Sequence, residues 1–224
     1  TWTNPSDVNG IGGVWYKLDA APVSPVDGDF EAGADITAIS GIPVGTDGEH
    51  SLWIWLADGV GNADHGSAVP VVLRYDTQRP GPLADLTVSP TDWTNTNNFD
   101  LSWTTPADVS GISGARHQLD DPPAAPDDGE FWPDAIDGYD GYVVPGNEDG
   151  EHQVWVWPVD GAGNSAAAED ANPITLRLDM TPPEPPLSLS FTPGGWQTAI
   201  AASFTMTWEN PADLSGIVGA CYQL

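Results

Sequence analysis

The chain has 224 residues, enough for about two domains of ordinary size. Its 33 aspartates and glutamates against five lysines and arginines give a net charge of −28, which excludes nucleic acid and anionic lipid as partners. No apolar run approaches the roughly 20 residues of a membrane-spanning helix, no signal-peptide pattern is present, and the single cysteine, Cys221, excludes an internal disulfide framework.

An internal repeat organises the rest. The phrase "TWTNPSDVNGIGGVWYKLD" at Thr1 returns as "SWTTPADVSGISGARHQLD" at Ser102 and as "TWENPADLSGIVGACYQL" at Thr207. Its tryptophans, Trp2, Trp103 and Trp208, are spaced 101 and 105 residues apart, which sets the repeat length. In chain order, the first phrase predicts a strand carrying Trp15 and Lys17 on its outward face. An acidic "DGEH" turn with His50 follows, and "SLWIWLAD" then alternates Leu52, Ile54 and Leu56 with Trp53 and Trp55. The loop "DGVGN" and the proline-rich "LRYDTQRPGP" close the unit.

The second unit repeats each step. "FDLSW" predicts a strand with Phe99, Leu101 and Trp103 on one core face, and Arg116 takes the outward position of Trp15. His152 takes the place of His50, Trp155 and Trp157 follow, and "DGAGN" leads to "LRLDMTPPEPP". The third unit opens with "FTMTW", which places Phe204, Met206 and Trp208 in a core, and Cys221 points outward with no assigned role. Short alternating strands with 25 glycines and 22 prolines indicate an all-β chain of tandem sandwiches. The proline-rich stretches predict boundaries near residues 78 and 181. Residues 1–77 form a unit lacking its first strands, 78–180 a complete unit, and 181–224 the opening strands of a third. The chain reads as a window on a longer array, with strand exchange between neighbouring chains as the alternative.

"LSWTTPADVSGISGARHQL" together with "VDGAGNSA" resembles a fibronectin type III or bacterial Ig-like domain over residues 78–180 and the partial units beside it. His117 departs from that pattern, because Tyr16 and Tyr222 fill its place in the other copies. The resemblance implies antiparallel two-sheet sandwiches of about 100 residues per repeat and an extracellular or cell-surface setting. It also implies that the loop after the second strand and the loop after the sixth strand share the pole at which the chain enters.

On that topology Asp108, Asp160 and Asn164 meet Asp76 of the preceding unit, with Asp47 and Glu49 nearby, and Asp179 pairs with Asp213 one repeat later. Asp7, Asp58 and Asn62 face the unit before. Converging oxygen ligands suit calcium, the one cofactor the sequence offers. The same residues are also ordinary turn formers, and that reading stands beside the ionic one. Trp53, Trp55, Trp155, Trp157, Trp15 and Arg116 form an outward surface. Cross-strand cover, lateral contact with neighbouring copies of the same protein, and glycan stacking are the three readings of it.

His50 and His152 are expected to pack where their strands begin. No G-x-S-x-G, HExxH or Cys/His spacing is present, so no catalytic residue is assigned. The expected function is a structural or adhesive segment of an extracellular stalk, coat or filament. The alternative is a glycan-binding or spacer module of a secreted carbohydrate-active enzyme.

Overall fold

The computed structural model describes residues 1–198 and 203–223, so Leu224 at the end of the third phrase lies outside the described residues. Backbone contacts group the chain into two compact units. The first holds 1–80 with the short segments 107–112 and 159–165, and the second holds 81–106, 113–158 and 166–224.

In the first unit the strands are β1 (Ile11–Leu18), β2 (Asp29–Ala32), β3 (Gly48–Asp58) and β4 (Val69–Tyr75). They form one antiparallel sheet in the order β2-β1-β3-β4. In the second unit β5 (Ala84–Ser89), β6 (Phe99–Thr104) and β9 (Gly138–Tyr142) form a three-stranded sheet. A four-stranded sheet has the order β11-β10-β7-β8, from β7 (Ile112–Leu119), β8 (Glu130–Pro133), β10 (Gly150–Asp160) and β11 (Asn172–Leu178). A separate hairpin pairs β12 (Leu187–Thr192) with β13 (Thr205–Glu209).

The two sheets of the second unit close on one core. Phe99, Leu101, Trp103 and Tyr142 come from one layer; Ala115, Trp132, Val154, Val156, Ile174, Leu176 and Leu178 come from the other. The period of two in "FDLSW" therefore points as expected, because β6 is covered on the face that carries its large side chains. The expectation fails for Phe204, Met206 and Trp208. Met206 and Trp208 share one face of β13 and Phe204 just precedes it, but all three are exposed, since no second layer lies against that hairpin among the described residues.

His50 and His152 pack at their strand beginnings, and the reason is electrostatic. His50 Nδ1 lies 2.8 Å from Asp19 Oδ2, and its Nε2 lies 2.8 Å from the Thr46 carbonyl oxygen. His152 makes the same contacts at 2.9 Å with Asp120 and with the Glu148 carbonyl. Both partners of each ring are acceptors, so both contacts hold together only when both nitrogens carry protons. The hydrogen bond from Asp19 raises the His50 pKa above its ordinary value. For His152 burial alone would lower the pKa, but the Asp120 and Glu148 contacts outweigh it and the net shift is upward.

His117 is the opposite case. It is buried, its ring stacks on Trp132 at 3.6 Å, and burial lowers its pKa. Raised histidines stabilise the fold fully below about pH 6.5, and that stability is lost as pH rises through their folded values. A lowered histidine contributes above that pH, and its contribution is lost as pH falls through its folded value. Denaturant midpoints from pH 4 to 9 are expected to fall on both sides of an optimum. His152→Gln should flatten the alkaline fall, and His117→Tyr, the residue type of the equivalent Tyr16, should flatten the acid fall.

Candidate metal centre

Asp76, Asp108 and Asp160 reach one place by three routes. Asp76 follows β4, Asp108 lies in the loop between β6 and β7, and Asp160 ends β10. Each offers a carboxylate oxygen, and these oxygens lie within 4.8 Å of one another. All three residues belong to the first compact unit, and theirs is the one acidic trio of this kind among the described residues.

The local sequence explains each position. Asp160 opens the "DGAGN" loop and is almost wholly buried. Its carboxylate accepts hydrogen bonds from the Ala162 amide at 2.9 Å, the Asn164 amide at 2.8 Å and the Asn164 side-chain amide at 2.8 Å. Asn164 then uses the same Nδ2 to reach the Asp76 carbonyl at 3.3 Å, so the loop and the segment after β4 are tied together. Asp108 accepts from the Ser110 amide at 2.9 Å and the Ser110 hydroxyl at 3.0 Å.

Asp76 is held below the usual carboxylate range, first by the Ser110 hydroxyl and then by the Gln78 and Ser110 amides, against the opposing effect of desolvation. Its Oδ2 is nonetheless buried without a hydrogen-bond partner. Three like charges at this spacing repel one another, and neutral donors offset that only in part. Arg74 lines an adjoining cavity of about 420 Å³ together with Asp76 and Ser110, yet its guanidinium is paired to Glu49 at 2.8 Å. The donor set is entirely hard oxygen, and the partnerless Asp76 Oδ2 offers a further lone pair, so the residues fit a calcium ion.

The other acidic expectations resolve differently. Asp58 accepts from Asn62 N at 2.8 Å and Nδ2 at 2.7 Å, the same loop geometry as Asp160 without neighbouring carboxylates. Asp7 accepts from the Asn9 amide, and Asp47 accepts from the Thr77 amide and hydroxyl, as turn residues do. Asp179 and Asp213 share Ser215, whose amide donates to Asp179 at 3.0 Å and whose hydroxyl donates to Asp213 at 3.2 Å. No third carboxylate joins them among the described residues.

The expected outward tryptophan surface is corrected at its centre. Trp55 and Trp157 are buried, because the loop following β1 or β7 folds over that face of its sheet. Trp55 Nε1 donates to the Pro25 carbonyl at 2.9 Å, and Trp157 Nε1 donates to the Pro126 carbonyl at the same distance. Gly28 and Gly129 permit this approach: a Cβ on either would lie 3.0 Å from the indole and collide with the backbone oxygen of Tyr16 or His117. Lys17 clamps the first loop through Asp27 at 2.8 Å, and Arg116 donates to the Asp127 carbonyl at 3.1 Å in the second. Trp15 stacks on Trp55, meets Phe30 at a tilt of 40° and is half-buried, as are Trp53 and Trp155. The missed signal was the recurrence of "SPVDG" and "APDDG" after each strand, which marks a structured cover.

No family model and no curated protein matches the chain. Among solved structures it is similar to fibronectin(III)-like modules of Clostridium thermocellum CbhA. The identity is 16% with a TM-score of 0.38, over 78% of this chain and 80% of that one. The class rests on the strand order itself. A β5-β6-β9 sheet packed on a β11-β10-β7-β8 sheet defines an all-β, fibronectin III-like sandwich module, and β2-β1-β3-β4 repeats its larger sheet.

Asp160 is the loop's anchor, since one carboxylate satisfies three donors. Asp160→Ala is expected to destabilise by about 2–4 kcal/mol by stranding those donors. Asp58→Ala, at an exposed loop, should cost less than half as much. Urea denaturation of the two variants measures the difference.

Proposed function

We propose that this chain is a run of fibronectin III-like repeats dividing near residues 78 and 181, and that it serves as a structural, adhesive segment of an extracellular stalk or filament. On this reading a calcium ion binds Asp76, Asp108 and Asp160, and copies of the same protein are its neighbours. The observation that carries it is the convergence of three carboxylates within 4.8 Å.

The ion would draw the loops 107–112 and 159–165 onto the segment after β4, which converts a mutually repelling trio into a cross-link. Asp179 and Asp213, gathered by Ser215, hold two of the corresponding carboxylates. The burial of Trp55 and Trp157 under their own loops takes away the stacking platform that a glycan-binding reading needs. The absence of a membrane-length apolar helix among the described residues is compatible with an external segment, and so is the acidic surface.

Calcium titrated into chelator-treated protein should give saturable heat and a higher melting temperature, reversed by EDTA and not reproduced by magnesium at equal concentration. Asp108→Asn should weaken that binding at least tenfold while leaving the metal-free melting temperature nearly unchanged. Equal melting temperatures with calcium and with EDTA would remove the ion from this reading.

A further inference from the structure

The complete repeat carries an imidazole in its interior where the other copies carry a phenol. His117 stands in the place of Tyr16 and Tyr222, and two neighbours change with it. In the first unit β1 pairs Val14 with the exposed Glu31, whereas in the second β7 pairs Ala115 with the buried Trp132. The smaller Ala115 leaves room for the indole, so Ala115, His117 and Trp132 replace Val14, Tyr16 and Glu31 as a set.

Trp132 is what fastens β8. That strand has four residues, forms the edge of its sheet and ends at Pro133, and its other three side chains are exposed. The indole lies nearly parallel to His117, at 3.6 Å and 13°, and to Tyr139, at 4.0 Å and 14°. Tyr142 meets the imidazole edge-on at 5.7 Å, and His117 Nδ1 is buried without a hydrogen-bond partner.

A neutral imidazole has one nitrogen without a proton, and Nδ1 in that form strands only a lone pair. A second proton would bury a charge and an N–H with no acceptor, and the attraction of a cation to the indole face offsets only part of that cost. The surroundings do little to compensate. Burial lowers the His117 pKa against the opposing charge of Glu130 across the β7–β8 pair. From β9 come two phenols, Tyr139 and Tyr142, the second pushed up to about 12, chiefly by burial. From β6 and β10 the core around these rings takes Phe99, Leu101, Val154 and Val156. On β7 itself Arg116 donates to the Asp127 carbonyl, and Asp120, just past the strand, is held by His152.

We propose that His117 is an acid sensor, whose protonation releases β8 and the loop that covers Trp157 as one flap of residues 121–133. The flap is coherent, because the Asp128 carboxylate accepts from the Ala124 and Ala125 amides at 2.8 Å each and the Asp128 amide donates to the Ala125 carbonyl. Its hinges lie outside the sensor. At one end the Asp120 amide donates to the Gln153 carbonyl, and His152, whose pKa is raised, keeps its hold on Asp120 in acid. At the other end the Asp134 amide donates to the Ser113 carbonyl. Opening uncovers Trp132 and Trp157, an apolar surface that the closed repeat hides. A tyrosine is already protonated below about pH 10, so Tyr16 gives the first unit no such response.

Because the ion plays no part, native-state hydrogen exchange is followed in EDTA from pH 7 down to about pH 5, where ordinary carboxylates, with values of about 4, are still charged. Protection factors remove the pH dependence of intrinsic exchange. His117 binds more protons in the open state, so opening grows as pH falls below about 6.5. Protection of the β8 amides should fall roughly threefold or more across this range, while the β1–β2 ladder loses none. At about pH 5 the β8 amides should be at least roughly tenfold less protected than those paired between β10 and β11, because the flap opens without the rest. His117→Phe and His117→Gln should each abolish the pH dependence of β8. Protection of β8 that is constant with pH in the wild type overturns the proposal. So does equal protection of β8 and β10–β11, which would mean that the whole sandwich opens together, and so does a pH dependence that survives in either variant. Should neither variant fold, the wild-type contrast of β8 with β1–β2 and with β10–β11 decides alone.

Discussion

A β-sheet in water is stable only when a second layer covers its apolar face, and this chain is organised around that constraint. In the complete repeat the constraint is met within 100 residues, where Phe99, Leu101 and Trp103 of β6 press on Val154, Val156, Ile174 and Leu176. Burying such side chains at roughly 25 cal/mol per Å² is the dominant favourable contribution to each sandwich. The position of every loop follows from the resulting register, because a one-residue slip in β10 would send Val154 and Val156 to the outer face.

The outer face is closed by a different device. Each of the equivalent strands β3 and β10 places an indole under the loop that follows β1 or β7, and a proline carbonyl takes the indole N–H. The Asp–His pair at the start of the same strand grips the first residue of that loop, Asp19 or Asp120. One strand is therefore fixed at both ends and on both faces. Asp160 lies three residues after Trp157, so the anchoring of the indole also fixes the carboxylate that organises the D-G-x-G-N loop. Packing and candidate site are consequently coupled through β10.

Much of this was legible in the sequence. The repeat length, the all-β character, the alternation in "FDLSW" and the meeting of Asp76, Asp108 and Asp160 follow from periodicity and from the resemblance it supports. The cover over Trp55 and Trp157 was not legible, because strand alternation assigns a side chain to a face without saying whether a loop lies on that face. Arg116 shows the same limit: its outward direction was right, but its partner is the Asp127 carbonyl in the covering loop and not an indole. Phe204, Met206 and Trp208 failed for a complementary reason. Their pattern specifies a buried face, but burial needs a partner layer, and a pattern on one strand cannot supply it.

The unusual acidity fits the same frame. Many of the aspartates act as backbone caps: Asp58 and Asp160 in the D-G-x-G-N loops, Asp27 and Asp128 in the loops over the tryptophans, and Asp47 and Asp149 beside the residues after β4 and β11. A carboxylate that accepts amide hydrogen bonds is stabilised in its charged form, and Asp58 and Asp149 lie below the usual carboxylate range, first because of donors from Asn62 and Thr181. Capping thus allows the fold to hold a charge of −28, but it does not remove the field that one copy presents to another. At physiological ionic strength that field decays over about 8 Å, so repulsion acts at close approach, where only an uncharged surface lets apolar contact prevail. The stretch from Pro185 to Trp208 carries no charged residue and adds nothing to that field. In a chain this acidic, neutral stretches are where one copy meets the least repulsion from another.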